Sequence, residues 1–134
     1  MYNHKLIFES NMFEDGMTVP ANTNADADAG MRVGGQEGRL AVTITAKTSC
    51  LIHDEDILTV TLKDCATESG SYAAISPAYS VSITHAADTT YAAGDEIISI
   101  LVPPGVGKWL KPNIATDDAG ATGTMNVFVE YLAV

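Results

Sequence analysis

The sequence predicts an all-β domain: an antiparallel jelly roll or β-sandwich of about eight strands, with an extended N-terminal segment or long loop. Three observations predict it. Apolar residues recur with a period of two in four separate runs. Clusters of Gly, Pro, Asp and Ser separate the runs. No stretch sustains a 3.6-residue apolar period over a dozen residues.

The elements follow in chain order. KLIFES at 5–10 reads as a short first strand, and the stretch around 16–20 carries a weaker strand signal. Residues 20–38, PANTNADADAGMRVGGQEG, are rich in Gly, Asn and Asp, and Met31 and Val33 are their only bulky apolar side chains. They read as a long connection or arm rather than a strand pair. In RLAVTITAKT at 39–48, Leu40, Val42, Ile44 and Ala46 share one face and Thr43, Thr45 and Lys47 the other. In DILTVTLKD at 56–64, Leu58, Val60 and Leu62 oppose Thr59, Thr61 and Lys63. YSVSITHA at 79–86 alternates Tyr79, Val81, Ile83 and His85 against Ser80, Ser82 and Thr84. EIISILVP at 96–103 is apolar on both phases, which suits a central strand or one covered on both sides. WLKPNIAT at 109–116 contains Pro112, which suits an edge or a bulge. GTMNVFVEYL at 123–132 alternates again and closes the chain. The organisation is one domain: residues 1–38 as an N-terminal strand plus polar loop or arm, and 39–134 as the sandwich core.

Composition narrows the function. The 134 residues carry 7 Lys and Arg against 17 Asp and Glu, a net charge of −10. Scattered cations in an acidic chain argue against a nucleic-acid binder, because phosphate contacts need clustered Lys and Arg. No run of 18 apolar residues offers a membrane-spanning helix, and the N-terminus lacks a basic region followed by an apolar run. The expected place of synthesis is therefore a cytoplasm. Cys50 and Cys65 match neither a CxxC pair nor a disulfide framework, and read as buried or half-buried thiols.

Few residues suggest chemistry. His4, His53 and His85 show no HxH, HExxH or HxxxH spacing. His53 leads into Asp54, Glu55 and Asp56, a set able to meet a divalent cation but expected to be a solvated turn. Asn24, Asp26 and Asp28 alternate like the start of a calcium loop, yet Ala29 and Gly35 stand where that loop needs Gly and Glu. Asp117 and Asp118 read as a solvated turn that could bring both carboxylates together, and His85 as a hydrogen-bonded rim histidine. There is no GxSxG elbow, and VPPGVGK at 102–108 lacks phosphate-loop spacing. It reads as a tight corner leading to Trp109, which is read as core or, in the alternative, as an interface anchor. No catalytic residue, metal or cofactor is expected.

The order of LTVTLKDCATESGSYAAI, ILVPPGVGKWLKPNIAT and GTMNVFVEYL resembles the jelly-roll capsid cement (decoration) proteins of tailed double-stranded DNA bacteriophages. The matching positions are Leu58 to Cys65, Leu101 to Gly105, Lys108 to Lys111 and Gly123 to Leu132, and KLIFES fits the family's first strand. The resemblance spans roughly residues 39–134, and the polar 20–38 segment departs from it. It implies a non-enzymatic virion protein that binds the outer capsid surface as a homo-oligomer, a dimer first and a trimer next. Its partner would be the major capsid protein, whose subunits it bridges. Expected interface residues are Phe8, Met12, Phe13, Lys108, Trp109 and Lys111. The competing readings are a β-sandwich ligand- or receptor-binding module, poor in aromatic platforms, and a cupin-like enzyme, for which three isolated histidines are too few.

Overall fold

The computed structural model of the chain describes residues 12–32, 40–75, 80–102 and 108–131. Among them there is no helix and there are twelve strands. These are β1 Met12–Thr18, β2 Thr23–Asp26, β3 Met31–Arg32, β4 Leu40–Ala46, β5 Cys50–Ile52 and β6 Ile57–Cys65. They continue with β7 Ala73–Ala74, β8 Ser80–Thr84, β9 Thr89–Tyr91, β10 Glu96–Leu101, β11 Trp109–Thr116 and β12 Thr124–Tyr131. The strand expected over 5–10, with Phe8, and the corner at 103–107 lie outside the described residues.

The ladders are nested. β1 pairs β12, β2 and β3 pair β11, β4 pairs β10, β5 pairs β9, and β6 pairs β8, all antiparallel. The chain is thus one long hairpin whose tip lies between β6 and β8. Two further ladders, β4 with β12 and β6 with β11, roll that hairpin into two sheets. One sheet runs β1-β12-β4-β10, and the other runs β2-β11-β6 with β8 on the far side of β6. Nested antiparallel ladders rolled into a four-stranded and a six-stranded sheet, with the short β5-β9 pair as a third, are a jelly-roll arrangement.

Inward side chains of the two sheets form one core. Phe13, Leu40, Val42, Ile44, Ile100, Met125 and Val127 come from the first sheet, and Leu58, Val60, Leu62, Leu110 and Ile114 from the second. Burying each large side chain contributes roughly 1.5–3 kcal/mol over leaving it in water. Both His85 and Cys50 are also buried, at 4% and 0% exposure, and both cysteines are free thiols.

Several expectations change. The described part of 20–38 is not a free arm: β2 and β3 are edge strands on β11. Asn113 Nδ2 donates to Asn24 and Asp26, and Ala27 enters the core at 2% exposure. The period-two signal was present as Ala25 and Ala27 between Asn24, Asp26 and Asp28, but alanine hides it from a pattern built on bulky residues. β10 is an edge strand, paired with β4 alone among the described residues, although Ile97, Ile98 and Ile100 are all buried. β11 is interior, not an edge. Pro112 fits there because its ring nitrogen faces the break between β2 and β3, where its carbonyl accepts from the Ala27 amide at 2.9 Å. The polar phase of β4 is not exposed either. Thr43 has no exposure because it bonds Ser99 and Glu130 across both neighbouring strands. Phe13, expected at an interface, is a core residue at 1% exposure, and Met12 is half-buried opposite Phe128.

Candidate functional site

Two features on the second sheet gather chemistry, at opposite ends of β6. The first follows from register. Residues on β11 alternate, so Leu110 and Ile114 point into the core and Trp109 and Lys111 to the outer face. Trp109 lies opposite Cys65 on one side and Arg32 on the other, and Lys111 lies opposite Lys63. Exposed Lys108 precedes Trp109 in the chain. Of the five cations among the described residues (Arg32, Lys47, Lys63, Lys108, Lys111), four therefore meet at this end; Lys47 pairs with Asp15 elsewhere. Trp109 is half-buried on the outer face, not in the core.

Tyr72 completes this end. Lys111 Nζ sits 4.6 Å above its ring centroid, a cation–π distance, and its hydroxyl donates to the Glu68 carbonyl at 2.8 Å. Gly30 lets the β2–β3 turn approach: a Cβ there would lie 1.9 Å from the Tyr72 hydroxyl. Lys63 bridges to Asp26 at 2.9 Å. Burial pushes the Asp26 carboxyl up, but hydrogen bonds from Lys63 and Asn113 outweigh it and hold the group below its ordinary value. The result is a fixed basic and aromatic surface on an acidic molecule. Lys108, Trp109 and Lys111 were legible in the sequence; Arg32, Lys63 and Tyr72 were not, since periodicity gives a residue's face but not the neighbouring strand.

The second feature is the junction of the β5–β6 turn with the β11–β12 loop. The Asp118 carboxylate is 4% exposed, not solvated as expected. Its Oδ2 accepts from the His53 backbone amide and lies 2.8 Å from the ring Nδ1, while Oδ1 accepts from the Gly120 amide at 2.7 Å. Asp117 Oδ1 accepts from the Ile57 amide at 2.6 Å, and Asp88 Oδ1 from the Asp54 amide at 2.9 Å. His53, Asp56 and Asp118 present ligand-type atoms within 4.8 Å of one another. Glu55 takes a left-handed φ of 68° between the two ligand-bearing residues of the turn.

His85 holds the turn from beneath. Its amide and Nδ1 both donate to the Asp56 carbonyl, and Nε2 accepts from the Tyr91 hydroxyl at 2.9 Å. The carbonyl can only accept, which assigns the proton to Nδ1. Of the sequence candidates for a cation, His53 and Asp56 are brought together. Exposed Asp54 enters the junction through its amide, Asp26 belongs to the basic end, and Asp28 is exposed near β2.

Charge follows geometry at the junction. The hydrogen bond that its Nδ1 donates to Asp118 holds the His53 imidazole above its ordinary value, helped by Asp88 and Asp56. Burial pushes Asp118 up, but the two His53 donors and the Gly120 amide outweigh it and leave it below the usual carboxylate value. Burial and the charges of Asp118 and Asp117 raise Asp56. A raised histidine stabilises the fold below its unfolded pKa and loses that contribution as pH rises through its folded value. A lowered carboxyl contributes above its unfolded pKa and loses it as pH falls. The pair therefore contributes most between roughly pH 4 and 6.5. In metal-free buffer, the melting temperature of His53→Ala should fall furthest below wild type in that window and approach it toward pH 9. A gap that is constant with pH would contradict this account.

A shallow depression of about 330 Å³ opens beside the junction, lined by Asn22, Thr23, Asn24, Ile57, Thr59, Ala115, Thr116 and Asp117. No protein-family model matches the chain, and no curated protein matches it.

Proposed function

We propose that this protein is a structural component of a bacteriophage virion. It binds the outer surface of the capsid as a homo-oligomer, bridges major capsid protein subunits and stabilises the shell without catalysis. The observation that carries the reading is the basic and aromatic end formed by Arg32, Lys63, Lys108, Trp109, Lys111 and Tyr72 on a chain of net charge −10. Half-buried aromatic side chains with adjacent cations are the usual anchors of protein interfaces. The jelly roll and the resemblance of residues 39–134 to cement proteins support the same reading, as does the solubility that net charge gives to free subunits. Attachment at many lattice points makes a modest single contact effectively permanent.

Co-sedimentation with capsids stripped of this protein tests it. Wild type should pellet with the shells. Trp109→Ala combined with Lys111→Glu should cut the bound fraction at least tenfold while leaving the fold intact by circular dichroism. Binding should also weaken between low and high salt, because the contact is partly ionic. Undiminished binding of the double variant would sink the assignment. The depression lined by Asn22, Asn24 and Thr59 favours a second reading, a receptor- or ligand-binding module, which saturable glycan binding lost in Thr59→Trp would support.

A further inference from the structure

We propose that His53, Asp56 and Asp118 bind one divalent first-row transition-metal ion that pins the β5–β6 turn to the β11–β12 loop. This site is separate from the basic end and does not depend on the capsid reading. The donor set is one imidazole nitrogen and two carboxylates, drawn from two chain segments and lying within 4.8 Å of one another. An ion with ligand distances near 2.1 Å places adjacent octahedral ligands roughly 3 Å apart. His53 Nδ1 and Asp118 Oδ2 are 2.8 Å apart, close to that spacing, so an ion to one side of the line joining them is reached by turning the imidazole to aim Nδ1 at it. The proton between them leaves to solvent, the Asp56 carboxylate closes on the ion, and water completes the shell.

The supporting groups are already in place. The Gly120 amide holds Asp118 Oδ1 and the His53 amide holds Oδ2, which fixes the carboxylate with the Oδ2 edge toward the imidazole. His85 fixes the Asp56 backbone through two donors, and Asp56 carries the second carboxylate from that anchored point. Gly120 leaves room for the imidazole, since a Cβ there would come within 2.9 Å of His53 Cε1. Such outer contacts set ligand direction and ligand strength. The chemistry selects the ion class. Calcium favours six to eight oxygens, with bidentate carboxylates; here one donor is nitrogen, and both Asp118 oxygens already accept a backbone amide, which opposes bidentate contact. Zinc and manganese accept this set. The surrounding Asp54, Asp88 and Asp117 add the negative field that draws a dication.

The test uses the untagged full chain, cleared with chelator and titrated calorimetrically with zinc, manganese, magnesium or calcium chloride. One zinc per chain should bind, at least tenfold tighter than calcium. Saturation should raise the melting temperature by roughly 5 °C or more. His53→Ala and Asp56→Asn should each weaken zinc binding at least tenfold. A measurement without variants guards against misfolding. Substoichiometric manganese should broaden the amide signals of residues 53–56 and 117–120 in the wild-type spectrum and spare Tyr72. Absence of saturable binding, binding unchanged in both variants, calcium as tight as zinc, or broadening centred elsewhere would each overturn the proposal.

Discussion

Replacing Leu110 with alanine should lower the unfolding free energy by about 3–5 kcal/mol. Leu110 has no exposure and sits on β11, the strand that binds β2, β3 and β6 into one sheet. Its truncation removes apolar contacts and leaves a cavity facing the other sheet, in a core packed from both sides. The adjacent residue provides the contrast. Trp109 points to the outer face and is half-buried, so Trp109→Ala should cost only about 1–2 kcal/mol. Urea unfolding at unchanged m-value measures both. Equal losses would mean that the two phases of β11 are assigned wrongly.

Gly123→Ala should cost about 2–4 kcal/mol. Gly123 has a φ of 107°, outside the range that L side chains tolerate. A Cβ there would also lie 2.5 Å from the Ser49 carbonyl oxygen and 2.7 Å from the Cys50 Cα, both backbone atoms that cannot swing away. The Gly123 carbonyl accepts from the Val19 amide, so a shift would disturb the start of the β1–β12 ladder. Gly16 is the comparison. It too has a positive φ, at a bulge of β1, but its added Cβ would meet only the flexible end of Lys47 at 3.3 Å. Gly16→Ala should therefore cost about 1 kcal/mol. Equal effects at the two glycines would contradict the steric part of this account.

The all-β class was legible because Val, Ile and Leu mark the inward phase of β4, β6 and β12. The short strands were not. β5 and β9 have three residues each, too few for a period, and β2 uses alanine as its inward residue. Pairing was not legible either. That Lys63 lies beside Lys111 follows from the rolling of a nested hairpin, which brings β6 against β11. Asp118 shows the same limit. Its neighbour Asp117 is exposed, and only the closing of the 117–120 loop over His53 buries one carboxylate of an adjacent pair. The jelly roll itself carries many functions, so the functional reading rests on the basic end rather than on the fold.

A reconstruction of the purified particle tests that reading most directly. The account predicts a jelly roll on the outside of the shell at regular lattice positions, with the Trp109 and Lys111 end of the second sheet against the major capsid protein. A particle without this density, or one in which that end faces solvent, would contradict it.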